Sequence, residues 1–132
     1  MDRDVVCAEL RAYFEKVPSI RSVYLFGSLA RGQAHAGSDV DVAILQMEPP
    51  RHVLSSLPLD VEADLERLLG VPVQVVDLRL APVDLVHRIL RDGILVIDRE
   101  PSARIRFEVR SRNEYFDLLP VLRRYRKQPG AS

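Results

Sequence analysis

The chain has 132 residues, 47% of them apolar and 29% charged, with a formal net charge of zero. That size suits one globular domain with a buried core but not two, and no apolar run approaches the roughly 20 residues that cross a bilayer. The charge is unevenly divided: residues 1–98 hold 10 Lys/Arg against 15 Asp/Glu, and residues 99–132 hold 9 against 4. A basic tail of this kind suits either an acidic partner or a solvated helix face.

The N-terminal stretch MDRDVVCAEL carries acids and lacks the apolar centre of a secretory leader, so a cytoplasmic location is expected. Residues 2–16 space Val5, Val6, Leu10, Tyr13 and Phe14 as one face of an amphipathic helix that stops before Pro18. The single cysteine, Cys7, falls within it and reads as a small packing residue. IRSVYLF (20–26) and SDVDVAIL (38–45) read as strands. Between them SLARG suggests a helical turn capped by Ser28 and stopped by Gly32.

A proline-bearing loop over 46–58 leads to a helix, VEADLERLLG, with Asp60 as its expected cap and Gly70 as its stop; Glu62, Asp64 and Glu66 read as a solvated face. VPVQVVDL (71–78) is a third strand, APVDLVHRILRDG (81–93) a helix and ILVID (94–98) a fourth strand. Residues 102–119 form a long charged helix. Pro120 should force a kink or a restart before VLRRYRKQ, with PGAS fraying at the end. The order α-β-(short α)-β-α-β-α-β-α defines an α/β fold class, a small sheet covered by helices.

Asp39 and Asp41 stand two residues apart in a strand, so they share one face. Two adjacent carboxylates repel unless a cation lies between them, and hard oxygen ligands suit Mg²⁺ or Mn²⁺ completed by phosphate oxygens. At the other end of the segment Gly27 permits close backbone approach and Ser28 offers a hydroxyl and an N–H, while Arg31 could add a planar charged fork to the same phosphate. Asp77 closes an apolar strand, where it either joins that site or caps the next turn. Asp84, at a helix start, favours the helix dipole. His35 and His52 read as loop residues and His87 as part of an amphipathic helix, with no zinc-ligand spacing among them. Tyr115, Phe116 and Tyr125 read as packing for the last helix.

Gly27-Ser28, ten intervening residues, then Asp39-x-Asp41 resembles the signature of the DNA polymerase β-like nucleotidyltransferases. More narrowly, GSLARGQAHAGSDVDVAIL in so short a chain resembles the minimal nucleotidyltransferase (MNT) antitoxins that pair with HEPN-domain toxins. Arg31-Gly32 and Ser38 match further positions of the pattern. The resemblance implies a single nucleotidyltransferase domain over 1–132, with a core at about 18–98, a mixed sheet of about four strands and a C-terminal helical segment at about 101–127. It implies catalytic and metal-binding roles for Asp39, Asp41 and a third carboxylate assigned to Asp77, and nucleotide contacts from Gly27, Ser28, Arg31 and Ser38. It further implies two Mg²⁺ ions, with Mn²⁺ as a substitute, ATP as AMP donor, and a tyrosine of a HEPN ribonuclease toxin as acceptor. Two other functions fit the residues: adenylylation of a small molecule such as an aminoglycoside, and non-catalytic masking of a partner. The mixed charges of the tail argue against direct nucleic-acid binding.

Overall fold

The computed structural model describes residues 2–34, 38–46 and 57–127. The expected loop over 46–58, His35, His52 and the terminal PGAS lie wholly or largely outside them.

Among the described residues nine elements follow in chain order: α1 (Arg3–Phe14), β1 (Ile20–Phe26), α2 (Gly27–Ala30), β2 (Val40–Gln46), α3 (Leu57–Leu69), β3 (Val73–Asp77), α4 (Val83–Asp92), β4 (Ile94–Asp98) and α5 (Pro101–Lys127). Their strands form one sheet in the order β3-β2-β1-β4. β1 runs antiparallel to β2 and β4, while β2 and β3 are parallel, so the sheet is mixed. The parallel pair needs a crossover, and α3 supplies it.

Alternation along the strands feeds two apolar layers. Val23, Leu25, Val40, Val42, Ile44 and Val73 pack with Val6, Leu10 and Phe14 of α1 and Val61 and Leu65 of α3. Tyr24, Ala43 and Leu45 face the other way, against Val86 and Ile89 of α4, with Phe107 of α5 beside them. The central strands β1 and β2 are therefore buried on both sides, which explains their nearly continuous apolar sequence. Cys7 is buried and its thiol titrates above its ordinary range because of that burial.

The acids of α3 are the main departure from expectation. The helix starts at Leu57, so Asp60 lies inside its first turn and is not its cap. Glu62 Oε1 accepts from the Val75 N–H at 3.0 Å and Glu66 Oε1 from the Val73 N–H at 3.1 Å. These two carboxylates satisfy backbone donors along the outer edge of β3, an edge that would otherwise offer pairing to another strand. Asp64 accepts from Tyr13 Oη at 2.7 Å and also pairs with Arg67, tying α3 to α1. Burial, followed by that hydrogen bond, raises the Tyr13 phenol well above its usual range.

On the opposite side α5 is pinned through Tyr24, whose hydroxyl donates to Glu108 Oε1 at 2.7 Å. Arg104 bridges Glu108 at 3.1 Å and Asp98 of β4 at 3.0 Å. Arg99 donates to the carbonyls of Val17 (3.0 Å), Ile20 (2.6 Å) and Phe14, closing the turn between α1 and β1. Beyond this anchored half α5 continues through Pro120 without a break. Pro120 lies on the exposed side, where the carbonyl that loses its donor meets water and the helix need not stop. The expected packing of the late aromatics holds only for Tyr115, which stacks on His87 with centroids 3.6 Å apart. Phe116 and Tyr125 are 56% and 63% exposed. No helix among the described residues is long and apolar enough to cross a membrane.

If the α3 acids hold the sheet edge, Glu62→Ala and Glu66→Ala should each lower unfolding free energy by about 1–3 kcal/mol, the cost of leaving a donor without its charged acceptor. Urea denaturation measures this. Glu62→Gln, which keeps an acceptor oxygen, should recover most of the loss.

Candidate functional site

The site forms where β1 ends and β2 begins. Antiparallel pairing sets Phe26 opposite Asp41, so Gly27, the next residue, lies against the aspartate's side chain. Gly27 has φ +80°, and a Cβ built on it would stand 2.1 Å from Asp41 Oδ2 and 3.0 Å from Cγ. Glycine is required there twice over: by backbone conformation and by space. From Gly27 the chain turns at once into α2, a single turn held by Arg31 N–H to Gly27 O at 3.2 Å. Gly32, at φ +72°, ends it as expected. Ser28 sits in the first turn and is not its cap; Phe26 holds that position and makes no side-chain cap bond.

Asp41 is half-buried and Asp39 exposed, and Asp39 immediately precedes β2 instead of lying within it. The Asp41 carboxyl titrates above its usual range, first because of burial and then because of the negative Asp39 beside it; the Arg31 guanidinium pulls the other way. The structure thus gathers Gly27, Arg31 and Asp39 around the Asp41 carboxylate. Ser28 and Ser38 are the chain neighbours of Gly27 and Asp39. Arg31 is exposed, its Nε donating to Gln33 Oε1 at 3.3 Å.

Asp77 does not join them. In the parallel pairing of β2 with β3 it stands level with Ile44, three residues along the strand from the level of Asp41. Alternation directs it to the opposite face of the sheet, with Val73, Val75 and Ile44. There it is 7% exposed; its Oδ2 accepts from Gln46 Nε2 at 2.9 Å and its Oδ1 from the Arg79 N–H at 3.0 Å. The second bond closes the turn after β3, the ordinary role of a strand-terminal aspartate. The expectation that Asp77 supplies a third carboxylate is therefore corrected: Gln74 is the β3 residue level with Asp41. Asp84 lies in the first turn of α4, as its position before an apolar helical pattern suggests.

A half-buried and an exposed carboxylate on one short segment, the first made reluctant to ionise by burial and then by the second, fit a hard divalent cation. Asp39 and Asp41 would hold it, with phosphate oxygens and water filling the shell. Among the described residues no group of three or more His, Cys, Asp or Glu side chains gathers in a way that could hold a metal.

Beside Gly27 a cavity of about 240 Å³ opens between the turn and α4, lined by Phe26, Arg31, Arg88, Ile89, Arg91 and Asp92, among others. Arg91 is engaged with Asp92 at 2.8 Å. Arg88 is exposed and, with Arg31, gives the cavity a cationic wall suited to phosphate. Sequence reasoning passed over Arg88, because a lone arginine on an amphipathic helix carries no signal until α4 is docked beside β1.

The family described as polymerase beta, nucleotidyltransferase, matches residues 8–102, from within α1 through β4 to the first residues of α5. The chain belongs to that nucleotidyltransferase family. It is 29% identical over 79 residues to the protein adenylyltransferase MntA of Shewanella oneidensis; the match covers 60% of this chain and 55% of MntA, so the chain spans about half the length of that relative. Its fold superposes on a chain of a toxin–antitoxin complex with AMP-PNP at a TM-score of 0.70, with 25% identity, covering 89% of this chain and 90% of the other. A second neighbour, from a complex of tri-AMPylated Shewanella oneidensis HEPN toxin with its MNT antitoxin, superposes at 0.69 with 21% identity over 88% of each chain and shares the fold.

Two measurements test this geometry. Gly27→Ala should destabilise more than Gly32→Ala, because both have positive φ but only at Gly27 does a Cβ meet another group. Combining Gly27→Ala with Asp41→Ala, which removes the clashing carboxylate, should recover part of the loss, a non-additivity read by a double-mutant cycle. Since the folded-state pKa of Asp41 is raised, folding is favoured by its protonation and loses that contribution as pH rises through the folded value. Without divalent ions, Asp41→Asn should therefore raise the melting temperature at pH 7, and the gain should vanish toward pH ~4, near the ordinary aspartate pKa.

Proposed function

We propose that this chain is an adenylyltransferase that moves AMP from ATP to a protein hydroxyl, a tyrosine of a HEPN-domain ribonuclease toxin, and acts as that toxin's antitoxin in the cytoplasm. The observation that carries this reading is the packing of Gly27 on Asp41, which sets a backbone turn for phosphate directly against a cation-binding carboxylate. The family membership, the similarity to MntA and the likeness to a toxin–antitoxin chain crystallised with AMP-PNP support the donor and the partner.

In the reaction the acceptor hydroxyl oxygen attacks the α-phosphorus of ATP. The bond from that phosphorus to the bridging oxygen breaks, pyrophosphate leaves, and the hydroxyl gives up its proton. Bound Mg²⁺ or Mn²⁺ would supply Lewis-acid stabilisation of the charge that develops on phosphate oxygens. The chain's own residues position and neutralise. Asp39 and Asp41 would hold the cation, the latter kept ionised by it despite burial and its neighbour. Backbone N–H groups of Gly27 and Ser28, and the Ser28 hydroxyl, would bind the β- and γ-phosphates. Arg31 and Arg88 would draw the triphosphate into the cavity beside them, and Ser38 would help orient the segment that presents Asp39. A nucleotide carried on a tyrosine near a ribonuclease site would oppose RNA by charge and bulk.

Incubating the chain and a HEPN partner with Mg²⁺ and ATP labelled at the α-phosphorus should place label on the partner, while label at the γ-phosphorus leaves as pyrophosphate. Asp39→Ala or Asp41→Ala should each lower transfer at least about 100-fold, the scale set by loss of a group that stabilises transition-state charge. Arg88→Ala should raise the KM for ATP with a smaller effect on kcat. Protection of cells from the toxin by the Asp39→Ala, Asp41→Ala double variant as fully as by wild type would instead favour masking by binding.

A further inference from the structure

We infer that Gln74 occupies the third-ligand position of the metal site and makes it a two-carboxylate site, with one tightly held divalent cation and a weakly held second. This inference rests on the proposed nucleotidyl-transfer reading of that site. Parallel strands lie about 4.8 Å apart and residues in register project on the same face. Asp41 is in register with Gln74, and Val40 with Val73, so Gln74 stands beside Asp41 on the face that Asp41 uses. It is exposed, at the outer edge strand of the sheet, where its side chain can swing toward the pair.

No other residue of β3 has this relation to Asp41. Val73 and Val75 project to the opposite face, into the layer built with α1 and α3, and Val76 packs toward α4. Asp77 is on the wrong face, level with Ile44, and committed to Gln46 and the Arg79 N–H. The two carboxylates and an amide oxygen therefore face the cation with two negative charges where a third carboxylate would give three. A glutamine can ligate a hard cation through Oε1 alone and carries no charge to offset the second ion. The side-chain amide also cannot take the proton from an acceptor hydroxyl, so that proton must leave to another group or to water.

The test is Mn²⁺ binding to the full chain, followed by electron paramagnetic resonance in the presence of a non-hydrolysable ATP analogue. Wild type should bind one Mn²⁺ tightly. Gln74→Glu, which exchanges only the amide nitrogen for oxygen, or Gln74→Asp, which tests the shorter reach, should add a second tight ion or tighten binding at least tenfold. Asp77→Asn should leave the titration unchanged. Two tight ions in wild type, no change in either Gln74 variant, or loss of an ion in Asp77→Asn would each overturn the inference. An Asp39→Ala chain that binds as wild type does, or no Mn²⁺ binding by any chain, would overturn the proposed site itself and this inference with it.

Discussion

The contact between Gly27 and Asp41 is the constraint around which the rest of the molecule is arranged. It brings the end of one strand and the start of the next within van der Waals distance, with no room even for a methyl group between them. The result is a carboxylate held at a fixed place against a backbone turn, half removed from water and beside a second carboxylate. Such an arrangement is electrostatically unfavourable in the free chain. Under the proposed function a cation shared with phosphate would relieve it, and the same repulsion that raises the proton affinity of Asp41 would make the site receptive to that cation.

Holding this contact requires that β1 and β2 neither slide nor separate, and the layers on either side of the sheet serve that end. A slip of one residue would turn Asp41 into the apolar layer and Val42 out of it. Burial of Val40, Val42 and Ile44 against α1 and α3, and of Ala43 and Leu45 toward α4, makes the observed register the one that satisfies both faces. The polar ties secure the periphery: Glu62 and Glu66 along β3, Tyr24 and Arg104 to α5, and Arg99 across the turn before β1. The free half of α5, with Phe116, Val121 and Tyr125 exposed, lies outside this framework.

Much of this was legible in the sequence because it is local. The Asp-x-Asp spacing put Asp39 near enough to Asp41 to raise its proton affinity, although Asp39 precedes the strand; glycines marked the ends of α2 and α3, and valine-rich runs marked the strands. What was not legible depends on pairing between distant segments. Asp77 and Gln74 differ by three positions in one strand, and only the register of β3 against β2 decides which stands beside Asp41. Glu62 and Glu66 have the spacing of a solvated helix face, and their acceptor role exists only once β3 lies alongside. Ser28 looked like a cap because its side chain is of the capping type, but α2 begins at Gly27, whose positive φ only glycine adopts readily, so the cap position falls on Phe26, two residues earlier. Pro120 was expected to kink α5 or force a restart; the helix instead runs on through it, at an exposed position where water can hydrate the carbonyl left without a donor.

The most direct test of the account is the map of paramagnetic broadening produced in the chain's amide NMR spectrum by Mn²⁺ with a non-hydrolysable ATP analogue. The account predicts that the signals of Gly27, Ser28, Asp39, Asp41 and Gln74 vanish first, with those of Arg31 and Arg88 close behind. The amides around Asp77 and Gln46, farther along β2 and β3, should be broadened less and need more Mn²⁺ to vanish. Broadening centred on Asp77, or none near Gly27 and Asp41 while the nucleotide is bound, would contradict it.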